Sequence, residues 1–370
     1  MYNHIRELPQ IVPARAKKKL EINTLTRNHE ILYEEQKIDG ERFIIHTGMP
    51  TGEFKHGITS RVESVITGRL TEKTDRVPHL SNHSQLPENS LLDNEFVSSG
   101  DIVLIDLPGK LWDKLIEPDH PHMLWLKKRF NGSLPVYPHV SHTTSILGSL
   151  GPEAIRKQEE RGKIWAYCFD ILKYRGKPAT HAHQIVRRQV LAKVLEEVDP
   201  ELGLILMPAW NNLTVEEITE FFYLVTDIKG EGLVLKDPNQ VYNGPQNWYK
   251  LKRDYPADVV FTGNYKVGEQ GKTGQMLGFA SSLEIGVYNS LGILYPIGWV
   301  SAIMDGMHNL VKPEEAETKY KGKVIECRHN GLQKVSYNLG YTLRHPRFRR
   351  ERNDKNARDC TIQNILEEAK

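Results

Sequence analysis

The segment EEQKIDGERF, residues 34–43, contains residue types that could carry out covalent chemistry. In extended backbone Glu35, Lys37 and Asp39 would share one face, because side chains alternate with a period of two. The glycine after Asp39 permits a sharp turn that would bring Arg42 back toward the same place. Lys37 is therefore either a charge on a surface turn or a nucleophile. A lysine nucleophile needs a neutral amine, which burial, nearby cations or a metal ion favour.

Two carboxylates lie in strand-like apolar surroundings and could serve the same site. Glu231 opens the run EGLVLK, and Glu95 lies within LLDNEFV. A buried carboxylate is costly unless it is paired or binds a cation. Both residues are therefore candidates for binding a metal ion or a positively charged partner.

Two lysines and one aromatic residue complete the candidate site. Lys250 and Lys252 in YKLK alternate along a strand, so their ammonium groups point the same way and repel each other unless an anion lies between them. A phosphate is the natural candidate. Phe169 in CFDIL could stack on a nucleobase or belong to the core. The sequence has neither a P-loop nor a G-x-S-x-G motif.

Composition sets limits on the class of protein. The chain has 370 residues, with 39% hydrophobic and 26% charged residues, which is typical of a soluble globular protein with two domains. No run of eighteen apolar residues and no signal-peptide core occur. Three widely separated cysteines argue against a disulfide framework. A cytoplasmic location is expected.

Positive charge is concentrated in two segments although the net charge is only +2. One segment is Arg344 to Arg358, and the other is Arg15 to Lys19. Such clusters can neutralise phosphates. The alternative for the first is a solvated, disordered basic tail, and for the second a flexible tail.

The pattern of apolar residues predicts an α+β fold. Short β-branched runs predict strands, and Pro, Gly and capping-box signals predict helices between them. The predicted strands are 42–46, 101–106, 164–172, 202–207 and 232–236, and the predicted helices are 151–162, 184–198 and 214–227.

The pattern of apolar and turn-forming residues changes after WYKLKRDYPAD, residues 248–258. From Val259 onward, short β-like runs alternate with Gly-rich turns, which is typical of a small β-barrel. We therefore predict one domain over residues 1–254 and a second over residues 255–370.

Six sequence blocks, in this order, resemble the signature motifs of the ATP-dependent DNA ligases, within the covalent nucleotidyltransferase superfamily. The resemblance extends from Leu32 to Lys355. The last block, LRHPRFRRERNDK, resembles motif VI of that family and ends in R-x-D-K. The blocks are KIDGER (37–42), TSR (59–61), CFDIL (168–172), EGLVLK (231–236), WYKLK (248–252) and LRHPRFRRERNDK (343–355).

The resemblance implies roles for the residues that would carry out the reaction. Lys37 would attack the α-phosphate of ATP and form a lysyl-AMP phosphoramidate. Lys250 and Lys252 would hold that phosphate. Asp39 would orient Lys37, contact the ribose or lie near the metal, and the sequence does not choose among these roles.

The resemblance also implies nucleotide contacts. Glu35 would recognise adenine and Phe169 would stack on it. Arg42 and Arg61 would contact the sugar and phosphates of the nucleotide, and later the 5′-phosphate of a nick.

Metal and pyrophosphate contacts complete the implied site. Glu231 would bind Mg²⁺, with Mn²⁺ as an alternative ion, and Glu95 would bind ribose or metal. Arg352, Asp354 and Lys355 would orient the leaving pyrophosphate in the first step.

The fold implied is a nucleotidyltransferase (ATP-grasp-like adenylation) domain of antiparallel sheets with flanking helices, followed by an OB-fold β-barrel that carries motif VI. A mobile hinge is expected near Arg253 to Pro256. The partner implied is nicked double-stranded DNA, in replication, repair or recombination, and a monomer is expected. The compact two-domain form resembles the ligases of bacteriophages and other viruses, for which the location would be the host cytoplasm.

Three alternatives remain open at the level of sequence. One is a related enzyme, either an RNA ligase or a GTP-dependent mRNA capping-type nucleotidyltransferase. Another is a catalytically silent module that binds nucleic acid. The third concerns four histidines, which could form a metal site or lie exposed in loops, namely His120, His122, His139 and His142.

Overall fold

The computed structural model describes residues 18–48, 53–63, 70–83, 85–138, 140–242, 248–267, 278–301 and 311–368. The chain divides into two compact units, Met1–Lys252 and Arg253–Lys370. Helices within the described ranges are α1 Pro78–Ser81, α2 Gly109–Trp112, α3 Pro121–Arg129, α4 Ser141–Leu147, α5 Gly151–Arg161, α6 Gln184–Leu195, α7 Val215–Asp227, α8 Pro313–Glu315 and α9 Ile362–Glu368.

Strands make up about half of the regular structure in the first unit and most of it in the second. They are β1 Lys18–Leu20, β2 Tyr33–Gln36, β3 Glu41–His46, β4 Gly57–Glu63, β5 Leu70–Glu72, β6 Leu91–Ser98, β7 Val103–Asp106, β8 Ser133–Val136, β9 Ile164–Tyr174, β10 Lys177–Pro178, β11 Leu204–Leu206, β12 Ala209–Trp210, β13 Leu233–Lys236, β14 Trp248–Leu251, β15 Tyr255–Val267, β16 Ala280–Tyr288, β17 Leu294–Ser301, β18 Val324–His329, β19 Leu332–Lys334, β20 Tyr341–Leu343 and β21 Arg347–Glu351.

Two sheets form the centre of the first unit. One has the order β1-β14-β13-β2-β12, and the other has the order β10-β9-β6-β3-β4-β5, with β11 also paired to β9. The expected antiparallel sheets are confirmed, with parallel pairing in addition between β1 and β14 and between β11 and β9. Since β2 and β3 belong to different sheets, the chain passes from one sheet to the other through residues 37–40.

The helices around these sheets begin and end largely where local signals predict. Helix α5 has a proline in its first turn and stops at Gly162, whose φ of 94° favours glycine. Thr214 and Glu217 form the expected capping box at the start of α7. Helix α6 ends at Leu195, short of the predicted residue 198.

Two predicted strands begin two residues later than expected. The strand predicted from residue 202 is β11 and starts at Leu204, because Pro200–Leu202 form a 3₁₀ turn. The other is the strand predicted from residue 101. Asp101 lies in a 3₁₀ turn, and β7 starts at Val103. The Asp101 carboxylate accepts hydrogen bonds from the amide and the hydroxyl of Thr143, both at 3.1 Å. These bonds hold Asp101 out of the strand.

The second unit is an antiparallel sheet with the order β17-β16-β15-β18-β21. This is the order of a five-stranded OB-fold, in which the first strand pairs with both the second and the fourth, and β17 contacts β21 where such a barrel closes. The basic segment contributes β21, so the disordered-tail interpretation is wrong for residues 347–351. Among the residues that the structure describes, no helix is long and apolar enough to span a membrane.

Candidate active site

Lys37 and Lys252 share one carboxylate where three strands end. The Lys37 amide donates to the Gly232 carbonyl at 2.8 Å and so extends the pairing of β2 with β13. Glu231 precedes β13 and Lys252 follows β14, which pairs with β13 on its other side. Each oxygen of the Glu231 carboxylate accepts a hydrogen bond from one of the two ammonium groups. The sequence predicts that Lys37, Glu231 and Lys252 belong to one site, and the strand ends bring them together.

These three side chains are only partly shielded from water. Their exposed fractions are 25% for Lys37, 17% for Glu231 and 18% for Lys252. Burial opposes ionisation of Glu231, but the charges of both lysines outweigh it and hold the pKa of Glu231 below its usual value. Burial, assisted by the charge of Lys37, lowers the pKa of Lys252, while Glu231 and Asp39 act against this. Asp39 is therefore close enough to act electrostatically on Lys252.

Glu95 approaches this group from the second sheet. It pairs with Arg42 across β6 and β3. A Cβ at Gly40 would lie 2.5 Å from the Phe96 carbonyl oxygen and 2.9 Å from Glu95 Cγ. Glycine is thus required by the close approach of the chain to β6. Burial and, more weakly, the nearby Glu231 raise the pKa of Glu95 to about 7, despite the opposing charges of Lys37 and Arg42.

Arg42 is held in place by a carboxylate that sequence analysis did not select. Its Nε and Nη2 donate to the two Asp93 oxygens at 2.8 and 2.5 Å. The Tyr242 hydroxyl donates to Asp93 at 3.0 Å. Burial disfavours the Arg42 charge, yet the Asp93 carboxylate raises the pKa of the guanidinium above its ordinary value. This bidentate geometry fixes the direction of the Arg42 side chain.

A buried ion pair lies beside Phe169. Lys236 Nζ is 2.5 Å from the Glu35 carboxylate, and the two side chains are only 2% and 5% exposed. The same ammonium lies 4.8 Å from the Phe169 ring centre and 4.6 Å from that of Trp248. The Arg42 guanidinium lies 4.9 Å from Phe169. Burial lowers the pKa of Lys236 and raises that of Glu35.

Lys236 and Asp93 are the site residues that the sequence reasoning missed. Asp93 lies inside the apolar strand run LLDNEF, and Lys236 ends the apolar run LVLK. Asp93 also lies two residues before Glu95. The same test that selected Glu231 and Glu95, a charge in apolar surroundings, would have selected both.

The remaining predicted residues lie on defined elements. Lys250 lies on β14, partly buried, two residues before Lys252. Arg61 lies on β4 beside Ser60, which pairs with Phe43 of β3. In the second unit, Arg352 Nε and Nη2 donate to the Asp354 carboxylate at 2.8 and 2.9 Å.

The histidines act as structural hydrogen-bonding groups where they are described. His122 is buried, and its Nε2 lies 2.7 Å from the Val198 carbonyl oxygen while its Nδ1 accepts from the Leu206 amide at 2.9 Å. His120 caps helix α3, and His139 lies outside the described residues. Within the described ranges, no group of three or more His, Cys, Asp or Glu residues could hold a metal ion. The metal interpretation of these histidines has no support in the described structure.

Glu34, next to Glu35 on β2, is a buried acid whose effect on the stability of the fold can be measured. Its carboxyl is completely buried, and within the described structure neither oxygen has a hydrogen-bond partner. Burial raises the pKa of Glu34 well above its usual value. The folded state therefore keeps a proton that the unfolded state loses, and stability should fall as pH rises above the ordinary value for a glutamate.

We expect Glu34→Gln to be more stable than the wild type at neutral pH. The difference in free energy of unfolding should grow by up to about 1.4 kcal/mol per pH unit. This growth spans the interval between the pKa of Glu34 in the unfolded state and its higher pKa in the folded state. Urea unfolding at several pH values measures it, with the exposed Glu216→Gln as control. An advantage that stays the same at every pH would contradict this assignment.

The chain thus consists of a unit with two central sheets followed by a unit with an OB-fold. A solved structure of a Lig E DNA ligase has the same fold, with a TM-score of 0.51 and 15% sequence identity. The alignment covers 92% of this chain and 100% of that chain.

The chain belongs to the ATP-dependent DNA ligase family. The profile of the ATP dependent DNA ligase domain matches residues 13–252. A DNA ligase of Methanococcus aeolicus is 31% identical over an alignment of 210 residues, and the alignment covers 52% of this chain and 36% of that protein. The DNA ligase of Monkeypox virus is 34% identical over 143 residues, 36% of this chain and 25% of that protein. The chain thus spans well under half the length of these curated relatives.

Proposed function

We propose that this protein is an ATP-dependent DNA ligase that seals nicks with a 5′-phosphate and a 3′-hydroxyl in duplex DNA. The observation that supports this most directly is the shared Glu231 carboxylate between Lys37 and Lys252. It combines a nucleophile, a cation for a phosphate and a carboxylate in one place. Nicked DNA is the proposed substrate, in replication, repair or recombination.

The proposed reaction has three steps. The Lys37 amine, after losing a proton, attacks the α-phosphorus of ATP, and the bond to the β-phosphate oxygen breaks as pyrophosphate leaves. The nick 5′-phosphate oxygen then displaces Lys37 and takes the AMP. Finally the 3′-hydroxyl attacks that 5′-phosphorus, AMP leaves, and the hydroxyl proton passes to solvent. Lys250 and Lys252 would stabilise the charge on the α-phosphate.

The carboxylates near Lys37 fit a divalent cation of the Mg²⁺ type. Mg²⁺ keeps several waters and binds through one or two carboxylates together with substrate phosphates, so a cluster of three acids is not needed. Glu231 is near enough to Glu95 for its charge to disfavour ionisation of Glu95, and a bound cation would relieve this. The two carboxylates would hold Mg²⁺ or Mn²⁺, and the ion would supply positive charge that neutralises the phosphates.

The buried pair beside Phe169 is the proposed nucleoside site. Glu35 and Lys236 offer an acceptor and a donor for the edge of a base, and Phe169 offers an aromatic face. Arg42 would contact the nucleotide next to that ring. Arg61 would bind the phosphates and then the nick.

Nucleotide labelling tests the proposal. The protein is incubated with Mg²⁺ and labelled ATP, GTP or NAD, and acid-stable label on the chain is measured. ATP should label it. If GTP labels the protein and ATP does not, the result would contradict the ligase assignment and favour a capping-type enzyme.

Strand joining tests the substrate class. A nicked DNA duplex should be sealed with ATP. Sealing of RNA ends without sealing of DNA nicks would move the protein to the RNA ligases.

The raised pKa of Glu95, about 7, predicts a pH dependence. Its carboxylate must be ionised to hold a cation or a ribose, so labelling at limiting Mg²⁺ should rise as pH increases through about 7. Glu95→Gln should label more slowly and lose this inflection. An unchanged inflection in the variant would assign the titration to another group.

A further inference from the structure

Asp258 binds both basic residues of the R-x-D-K sequence near the end of motif VI. Arg352 Nη1 donates to the two Asp258 oxygens at 3.0 and 3.1 Å. Lys355 Nζ donates to the same carboxylate at 2.7 Å. Asp258 lies on β15, far in sequence from the motif and within the same compact unit. One strand carboxylate therefore sets the positions of both cations.

Arg352 is held on two edges that differ in exposure. Its Nη1 edge faces Asp258, which is 12% exposed. Its Nε and Nη2 edge faces Asp354, which is 68% exposed. A charged hydrogen bond to a shielded carboxylate is harder for water to replace than one to an exposed carboxylate. The Asp354 edge is thus the one that an incoming phosphate can take over, while Asp258 keeps hold of the other.

A second carboxylate, that of Glu326, pairs with other basic side chains nearby. Glu326 of β18 pairs with Asp258 across the sheet. It lies 2.9 Å from Arg350, 3.4 Å from Arg349 and 3.6 Å from Arg328. Glu326 thus pairs with three neighbouring arginines, whereas Asp258 pairs with the two basic residues of R-x-D-K.

We propose that Asp258 is a positioning residue for the ATP-dependent first step. It would hold Arg352 and Lys355 ready for the polyphosphate of ATP, and for pyrophosphate in the reverse reaction. This inference rests on the proposed ligase function. It assigns Asp258 no role in closing the nick once the 5′-phosphate carries AMP, because pyrophosphate has left by then.

The test uses Asp258→Asn in the full chain. Three readouts are compared with wild type: labelling by ATP over a range of concentrations, discharge of the labelled protein by pyrophosphate, and sealing of a pre-adenylylated nick. We expect the first two to fall about 10- to 100-fold, as for loss of a group that orients a ligand-binding residue. Sealing of the pre-adenylylated nick should stay within about twofold, because positioning for pyrophosphate is no longer needed.

Two further variants separate positioning from general support of the fold. Asp258→Glu keeps the carboxylate and should recover part of the ATP and pyrophosphate reactions. Glu284→Gln is the matched control, because Glu284 is a sheet carboxylate of the same unit that accepts from Thr262 and Asn264. It should leave all three readouts near wild type.

Equal loss in all three readouts, or no loss with ATP and pyrophosphate, would overturn the role of Asp258. If Asp258→Asn unfolds, judged by its thermal midpoint, Asp258→Glu decides: it should bind ATP more weakly while still sealing the pre-adenylylated nick. An absence of ATP labelling in wild type would instead refute the proposed function, so the two failures are distinguishable.

Discussion

Replacement of Lys37 with alanine should abolish covalent uptake of AMP and lower nick sealing with ATP at least about 1,000-fold. The other cations of the site can attract the phosphates, but none of them replaces the nitrogen that forms the phosphoramidate bond. Labelled ATP followed by denaturing electrophoresis measures the first loss, and a nicked-duplex assay measures the second. Lys193→Ala, at an exposed helical lysine, is the control.

A pre-adenylylated nick separates loss of the nucleophile from loss of the fold. The final step requires no free Lys37 amine, so Lys37→Ala should still close such a nick. Label that persists on the Lys37→Ala protein would show that another residue accepts AMP and would contradict the assignment.

The second large effect concerns stability. Lys236→Met should destabilise the protein by about 3–5 kcal/mol, because it leaves the Glu35 charge buried without its partner. Urea unfolding measures the change. Adding Glu35→Gln to Lys236→Met should recover most of the loss, since two neutral side chains of similar size then face each other.

Lys193→Met is the matched control for this experiment. It makes the same substitution at an exposed position, where a change within about 0.5 kcal/mol is expected. Equal destabilisation of the single and double variants would mean that Lys236 stabilises the fold through packing of its stem and not through Glu35.

The local features of the fold were predictable because they depend on neighbours in sequence. The capping box at Thr214, the stop at Gly162 and the motif around Lys37 each lie within a few residues. Pairing between strands that are distant in sequence was not predictable in this way. The alternation of side chains indicates that Arg42 shares a face with certain neighbours, but it does not indicate that β3 pairs with β6 and so brings Asp93 to it.

The contacts of Lys236 and Asp258 were not predictable for the same reason. Lys236 is the last residue of an apolar strand. Only the register of β13 against β2, which pairs Val234 with Glu35, makes Lys236 a diagonal neighbour of Glu35. Asp258 reads as one acid near a domain boundary. Its importance comes from the pairing of β15, β18 and β21, which brings it to Arg352.

The parallel pairing of β1 with β14 has a consequence for synthesis of the chain. The first described strand of the unit, Lys18–Leu20, rests against Trp248–Leu251, which lies at the end of the same unit. Contacts this distant in sequence form slowly and late, because a long loop must close first. On the ribosome, Lys37 is made early but meets Glu231 and Lys252 only after nearly the whole unit has emerged. A nascent chain that stops before β14 would thus carry Lys37 and Glu231 without Lys250 and Lys252, and AMP uptake would begin only when the unit is complete.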